Sequence, residues 1–260
     1  MRIYVGFDDT DTVDSDRGTG KLARWFENEL PESCRLWGVV RQQLLLDDSI
    51  PYTTRNSSAC AIVETSNHCS LDDLILGAVH HIKRQFIPGS DPGLCVVSED
   101  NPALSKLVLF GRACTTRVVT QKEAIEAALG SHLSGHGGTN DGIIGAAAAV
   151  GLTARGWGGR FIEFGRLRDF PGRVLVSDLE RSGIMVISID RDAQVPGPED
   201  VVDTKGWLRP RLWGGRPGLP VTIKGKNLWE TVGEKNRKKN KGGGQYHGRE
   251  NFLQGKGKGG

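Results

Sequence analysis

The chain has 260 residues, 37% of them hydrophobic and 25% charged, which supplies a packed core and excludes wholesale disorder. No stretch approaches the roughly 18 apolar residues of a membrane helix, and Met1 to Asp9 carries no apolar leader segment, so the expectation is a cytoplasmic protein with no membrane partner. Net charge is +3 but uneven: from Lys224 onward ten Lys or Arg face three Glu, an excess of +7 that leaves about −4 on the rest. A basic end of that kind points to a polyanion contact.

In chain order, Arg2 to Phe7 reads as a buried strand that ends at Asp8. A loop rich in Asp, Thr and Gly follows, then a helix that begins near Thr19 and carries Leu22, Ala23, Trp25, Phe26 and Leu30 on its apolar side. Leu36 to Leu46 and Ala59 to Glu64 are strand candidates. Leu71 to Phe86 has the spacing of an amphipathic helix. Leu94 to Val97 predicts a short strand, Gln121 to Leu129 a helix, and Asp141 to Leu152 a helix whose four consecutive alanines permit close approach to a neighbour. This alternation predicts an α/β layer structure.

The pattern breaks near Gly156-Trp157-Gly158-Gly159. Strand candidates then fall at Phe161 to Leu167, Gly183 to Ile189 and Val221 to Ile223, with a short helix from Ser177 to Arg181. The expected organisation is an α/β domain over 1–155, a smaller α+β domain over 156–229 and a basic low-complexity tail over 230–260.

The five cysteines, Cys34, Cys60, Cys69, Cys95 and Cys114, are odd in number and have no C-x-x-C spacing. That predicts reduced thiols rather than a disulfide framework or zinc ribbon. His80 and His81 have no partner at zinc-binding spacing.

The chemistry concentrates in Asp8-Asp9-Thr10-Asp11. Three carboxylates within four residues repel one another unless a cation compensates. Magnesium takes one or two carboxylates together with substrate phosphates. Gly18-Thr19-Gly20-Lys21 then opens a helix, whose free amides favour a phosphate, and Lys21 adds a point charge. The G-x-x-x-x-G-K-[ST] spacing of a Walker loop is absent. Further along, Arg55 in the polar stretch 51–58 is a phosphate candidate, and Gly137 to Gly142 makes a second glycine-rich helix start. Asp and Thr capping the first helix is the structural alternative for the acidic loop.

Asp8-Asp9-Thr10-Asp11, with Thr19 just before a helix, resembles the archaeal tRNA-isoleucine agmatinylcytidine synthetase family, which reads G-I-D-D-T-D-S and then G-M-C-T-T-Y-L-A. In the same order, Thr54-Arg55 is similar to the family's P-x-K-T-R-G-N, Ser90 to Gly93 to T-N-P-G, and Gly142 to Gly151 to G-I-I-G-A-L-A-A-I-G. Phe161 to Phe164 and Gly214 to Gly218 match family segments more loosely, so the resemblance covers about residues 1 to 220.

It implies a kinase-like N-terminal domain and a ferredoxin-like second domain. It also implies an enzyme in which ATP phosphorylates the 2-oxo group of a wobble cytidine and agmatine displaces the phosphate. Asp8, Asp9 and Asp11 would hold Mg2+, and Thr19 matches an autophosphorylated threonine. Thr10, Gly18, Gly20, Lys21, Thr54, Arg55, Asn140 and Gly142 would surround ATP. tRNA would be the partner, through the basic tail, with agmatine or another small amine as co-substrate.

There are departures. T-R-G-N reads Thr54-Arg55-Asn56-Ser57, G-R-G reads Asn140-Asp141-Gly142, and the family's second threonine is Gly20. The OB-fold and cysteine-rich zinc ribbon have no counterpart in these residues. Two alternatives therefore stand beside the tRNA-modifying reading: a phosphotransferase or ligase for a small metabolite, and a non-catalytic nucleotide- or RNA-binding module.

Overall fold

The structure, a computed structural model, describes residues 1–53, 55–65, 69–192 and 194–233. Thr54 and nearly all of the predicted basic tail lie outside the described residues. Among those described, no helix is long and apolar enough to cross a membrane.

The fold is mixed α/β, built on one large sheet. Its first strands are β1 (Arg2–Asp8), β2 (Cys34–Gln43), β3 (Ser57–Thr65), β4 (Gly93–Ser98) and β5 (His132–Gly135). Helices α1 (Thr19–Trp25), α2 (Leu71–Gln85), α3 (Ala103–Ala113), α4 (Gln121–Ala127) and α5 (Gly142–Ala154) join them. β6 (Trp157–Glu163), β7 (Arg173–Leu175), α6 (Val176–Arg181) and β8 (Met185–Ser188) follow, then β9 (Val201–Asp203), β10 (Arg211–Trp213), β11 (Arg216–Gly225) and β12 (Leu228–Thr231). The strand order is β5-β4-β1-β3-β2-β6-β10-β11-β12-β9-β7, with β8 beside β11. Pairing of β2 with β6 carries the sheet across residue 155.

The predicted layer exists, but its strands are mostly antiparallel. Only β11–β8 and β12–β9 are parallel among the described pairs. Alternating elements do not by themselves fix strand direction, because β1 is flanked by two strands, β3 and β4, that both return toward it.

Five elements, one helix and four strands, escaped the periodicity reading for local reasons. In α3 the apolar run Leu107 to Phe110 is broken by an exposed Leu109, so it resembles a strand. Strands β7, β9, β10 and β12 have three or four residues each, too few to show a period of two.

One apolar layer packs α1 and α2 on β1, β2 and β3, with Phe7, Phe26, Leu74 and Ile82 at its centre. His81 belongs to this layer: it is buried against Phe7 and Phe26, and Leu22 O lies 2.8 Å from its Nε2. Burial lowers its pKa, so the ring is a neutral core group.

The opposite layer packs α3, α4 and α5 around Leu107, Ala146 to Val150 and Leu152. Here the small residues of α5 have a steric cause. A Cβ at Gly6 would overlap the Ala146 backbone, one at Gly93 the Gly142 backbone, and one at Gly151 the Leu107 backbone. The α5 backbone therefore lies directly on β1, β4 and α3, which only glycine permits at those positions.

Cysteine pairing departs from the prediction. Cys34, at the start of β2, is disulfide-bonded to Cys69, just ahead of α2, with Cα atoms 6.5 Å apart. The two are 35 residues apart in sequence, and only the tertiary fold brings them together. Cys60, Cys95 and Cys114 are free and buried. Desolvation pushes the Cys95 and Cys114 thiols up to about 12, so they are core groups rather than nucleophiles.

Candidate active site

Asp8 is the last residue of β1 and stands opposite Gly93 of β4. Its carboxylate rests on the first turn of α5, where a Cβ at Gly145 would overlap it. Desolvation there holds the Asp8 carboxyl well above the usual range; Asp9 and then Asp11 raise it further, against a lowering hydrogen bond from the Asp9 backbone. Burial and like charge both disfavour the ionised form of Asp8.

Asp9 has φ +48°, a left-handed conformation that Asp adopts more readily than most residues. The turn lets the loop dock on its neighbour: Asp91 N donates to Asp9 O at 3.0 Å, and Ile87 N to Thr10 O at 3.0 Å. Asp11 then turns back to the start of α1. Its Oδ1 accepts from Thr19 N at 3.1 Å and from Thr19 Oγ1 at 3.2 Å. The buried Thr19 hydroxyl also receives Thr10 N at 3.3 Å and Thr10 Oγ1 at 3.1 Å.

A second aspartate does the same for α5. The Asp91 carboxylate accepts from Thr139 N and Asn140 N at 2.8 Å each, and from Asp141 N at 3.2 Å. At the two glycine-rich helix starts predicted to receive phosphate, the amides of Thr19 and of Thr139, Asn140 and Asp141 are therefore already bonded to protein carboxylates. At Asn140 the backbone is left-handed, φ +66°, and its amide points to Asp91. The capping alternative describes Asp11 well: its carboxylate satisfies the Thr19 amide, as an N-terminal cap does.

These groups close one end of a cleft of about 550 Å³, within the roughly 300–1,000 Å³ range of small-molecule sites. Of the predicted residues, Asp8, Asp9, Asp11, Thr19, Arg55 and Gly142 line it. Thr10, Gly18, Gly20, Lys21 and Asn140 do not. Lys21 is turned away, its Nζ 5.1 Å from the centre of the Trp25 ring. A Cβ at Gly20 would meet Ile162, and one at Gly18 would meet Asp11, so these glycines serve packing.

Several lining residues went unpredicted. Arg117 faces the cleft just after α3 and pairs with Glu123 at 2.5 Å. Leu44, Ile50, Val118, Val119 and Ile144 give the cleft an apolar wall, with Tyr52 beside them. No short-range pattern marks these positions, because they come from three separate segments: the β2–β3 loop, the α3–α4 loop and the first turn of α5. The turn that supplies Asp91, read from sequence only as a turn, proves to be the clamp on α5.

Among the described residues no group of three or more His, Cys, Asp or Glu is placed to hold a metal ion. Magnesium does not need such a cage, since phosphate oxygens and water complete its six ligands. Asp8 and Asp9 beside the cleft meet that smaller requirement.

No protein-family model matches this chain, and no curated protein matches it. Solved structures do. The chain is 27% identical to a tRNA fluorescent labeling enzyme, with a TM-score of 0.49, covering 58% of this chain and 36% of that one. It is 26% identical to apo TiaS, the agmatidine synthetase of an isoleucine tRNA, with a TM-score of 0.47 and coverage of 58% and 35%. Against TiaS in complex with that tRNA, AMPCPP and agmatine it is 28% identical, with a TM-score of 0.46 and coverage of 58% and 36%. TiaS structures are thus among its structural neighbours. The chain spans about a third of the length of each structure it matches.

Proposed function

We propose that this chain is an ATP- and Mg2+-dependent phosphoryl-transfer enzyme that activates a cytidine-like carbonyl in RNA for attack by a small amine such as agmatine. The observation that carries this reading is the convergence of Asp8, Asp9, Asp11 and Thr19 at one end of the 550 Å³ cleft. The collinear motifs of the first 220 residues support it, because they resemble one family of ATP-dependent tRNA-modifying ligases.

Bound ATP with its magnesium supplies the phosphoryl group. The chain's own residues divide the remaining work. Leu44, Ile50, Val118, Val119 and Ile144 exclude water from the apolar end and hold a base there. Asp8 and Asp9 would hold the cation at the acidic end, which would offset the mutual repulsion of the clustered carboxylates. Arg55 and Arg117 orient phosphate oxygens from across the cleft. Asp11, already bonded to the Thr19 hydroxyl at 3.2 Å, takes its proton when that oxygen accepts a phosphoryl group. In the same reading residues 1–155 are the kinase-like unit, 156–229 the ferredoxin-like unit and 230–260 a basic contact for RNA, in a cytoplasmic enzyme.

The test is incubation with γ-labelled ATP and Mg2+. The expected result is nucleotide turnover with label on Thr19. Asp9→Asn keeps a residue tolerant of left-handed backbone and should lower turnover by at least about a hundredfold while leaving the melting temperature nearly unchanged. Absence of nucleotide binding, turnover and self-labelling in the wild type would sink the proposal. Transfer of label to a small metabolite and never to RNA would move it to the small-molecule kinase reading.

A further inference from the structure

Three arginines stand in one line across three adjacent strands. Arg41 of β2 is directly opposite Arg160 of β6, and Arg160 is directly opposite Arg211 of β10. Directly opposed residues share a face, so the register sets three arginine positions along a row of about 10 Å, two interstrand spacings of ~4.8 Å, with the Arg41 guanidinium donating to Ser57 Oγ of β3 at 2.9 and 2.7 Å. Like charges placed opposite one another destabilise a sheet, and no carboxylate among the described residues forms an ion pair with this row, although Asp11 and Glu163 act at longer range on Arg41 and Arg209. There Arg41, Arg55, Arg160, Arg209 and Arg211 take no ion pair, whereas the neighbouring Arg24 and Arg168 share Glu163.

The row has two extensions. At the Arg41 end, Arg55 lines the cleft, and its charge together with that of Arg160 adds to the desolvation that lowers the Arg41 pKa. At the other end Arg209 sits among Arg168, Arg24 and Arg160; desolvation first, and then these cations, bring its pKa down to about 10. Arg209 lies 3.6 Å over the centre of the Trp207 ring, and Arg211 lies 5.7 Å from that of Trp213. Arginine planes beside indole faces suit unstacked bases as well as phosphates.

We infer that the Arg41–Arg160–Arg211 row, extended by Arg209 and Arg55, is a docking strip for the phosphate backbone of single-stranded RNA that runs to the mouth of the cleft. The strip deepens the reading above by placing the acceptor. It rests on that reading only for the direction of the strand, toward Asp8 and Asp9. The row requires no contribution from the basic end of the chain.

The experiment uses the full chain without nucleotide, so that failure of the ATP reading and failure of this one are separable. Binding of a fluorescein-labelled single-stranded RNA of about twelve nucleotides is followed by anisotropy over a salt series. Arg160→Gln and Arg211→Gln should each weaken binding by about tenfold and reduce the salt slope by about one. Arg160→Lys, which keeps the charge, should retain most of the affinity. Wild-type binding in both Gln variants would overturn the proposal. So would loss of binding only when Lys238, Lys239 and Lys241 are changed to Gln. Equal, row-dependent affinity for a duplex RNA would overturn the single-stranded assignment, and capture by anionic phospholipid vesicles with no RNA binding would overturn the nucleic-acid one.

Discussion

The acidic end of the cleft and the arginine row lie on the same sheet and confine their charge in opposite ways. Asp11 and Asp91 are each neutralised locally, by the amides at the starts of α1 and α5. Asp8 is held by packing against Gly145, at the cost of a displaced pKa. The arginines of the row are aligned by strand register, with Arg41 also bonded to Ser57, and have no carboxylate in an ion pair with them among the described residues. One region neutralises Asp11 and Asp91 locally and desolvates Asp8; the other forms no ion pair along its length among the described residues. Charge that the fold satisfies internally reports on structure, and charge that it leaves unsatisfied reports on a ligand.

The sharpest way to break this contrast is at Gly145. Gly145→Ala forces a methyl into the Asp8 carboxylate and should destabilise the protein by about 1–3 kcal/mol, read from the urea midpoint. Gly172→Ala, where an added Cβ meets nothing, is the control and should stay within about 0.5 kcal/mol of wild type. Equal effects at the two sites would show that Asp8 is not held by packing.

A second measurement addresses the desolvated carboxyl of Asp8. The folded-state pKa of Asp8 is raised, so the folded protein keeps this proton where the unfolded chain, with a pKa near about 3.9, has lost it. Its contribution is present below the unfolded pKa and is lost as pH rises through the folded value. Metal-free wild type should therefore lose melting temperature as pH rises above about 4, relative to Asp8→Asn, by about 2–4 °C per kcal/mol. Mg2+ with nucleotide should close that gap. A parallel pH profile in the two proteins would remove Asp8 from the acidic centre.

The smallest effect is expected on the basic side. Arg160→Gln relieves like-charge repulsion and should raise stability by a few tenths of a kcal/mol up to about 1, the gain fading in high salt. A clear loss of stability would mean that the row is knitted internally after all.

Much of the first 155 residues was legible from residue pattern. β1, β3, β4, α2 and α5 fall close to their predicted positions, because each buries a face with a clean period or a run of small residues. The small strands near the other end were not, since three residues carry no periodicity. At the candidate site, the clustered aspartates and Thr19 announced themselves by composition. Arg117, the apolar wall and the clamp by Asp91 did not, because loops distant in sequence build them.

By itself, then, the sequence determined that a buried strand ends in crowded carboxylates, that α5 must approach its neighbours closely, and that the last residues are strongly basic. Tertiary structure alone decided which helix amides remain available, since Asp11 and Asp91 are close to them only after the loops dock. It also decided that Cys34 meets Cys69, and that Arg41, Arg160 and Arg211 share a line. Residues 41, 160 and 211 acquire a common face only through the hydrogen-bond register of β2, β6 and β10, and register is a property of paired strands rather than of any one of them.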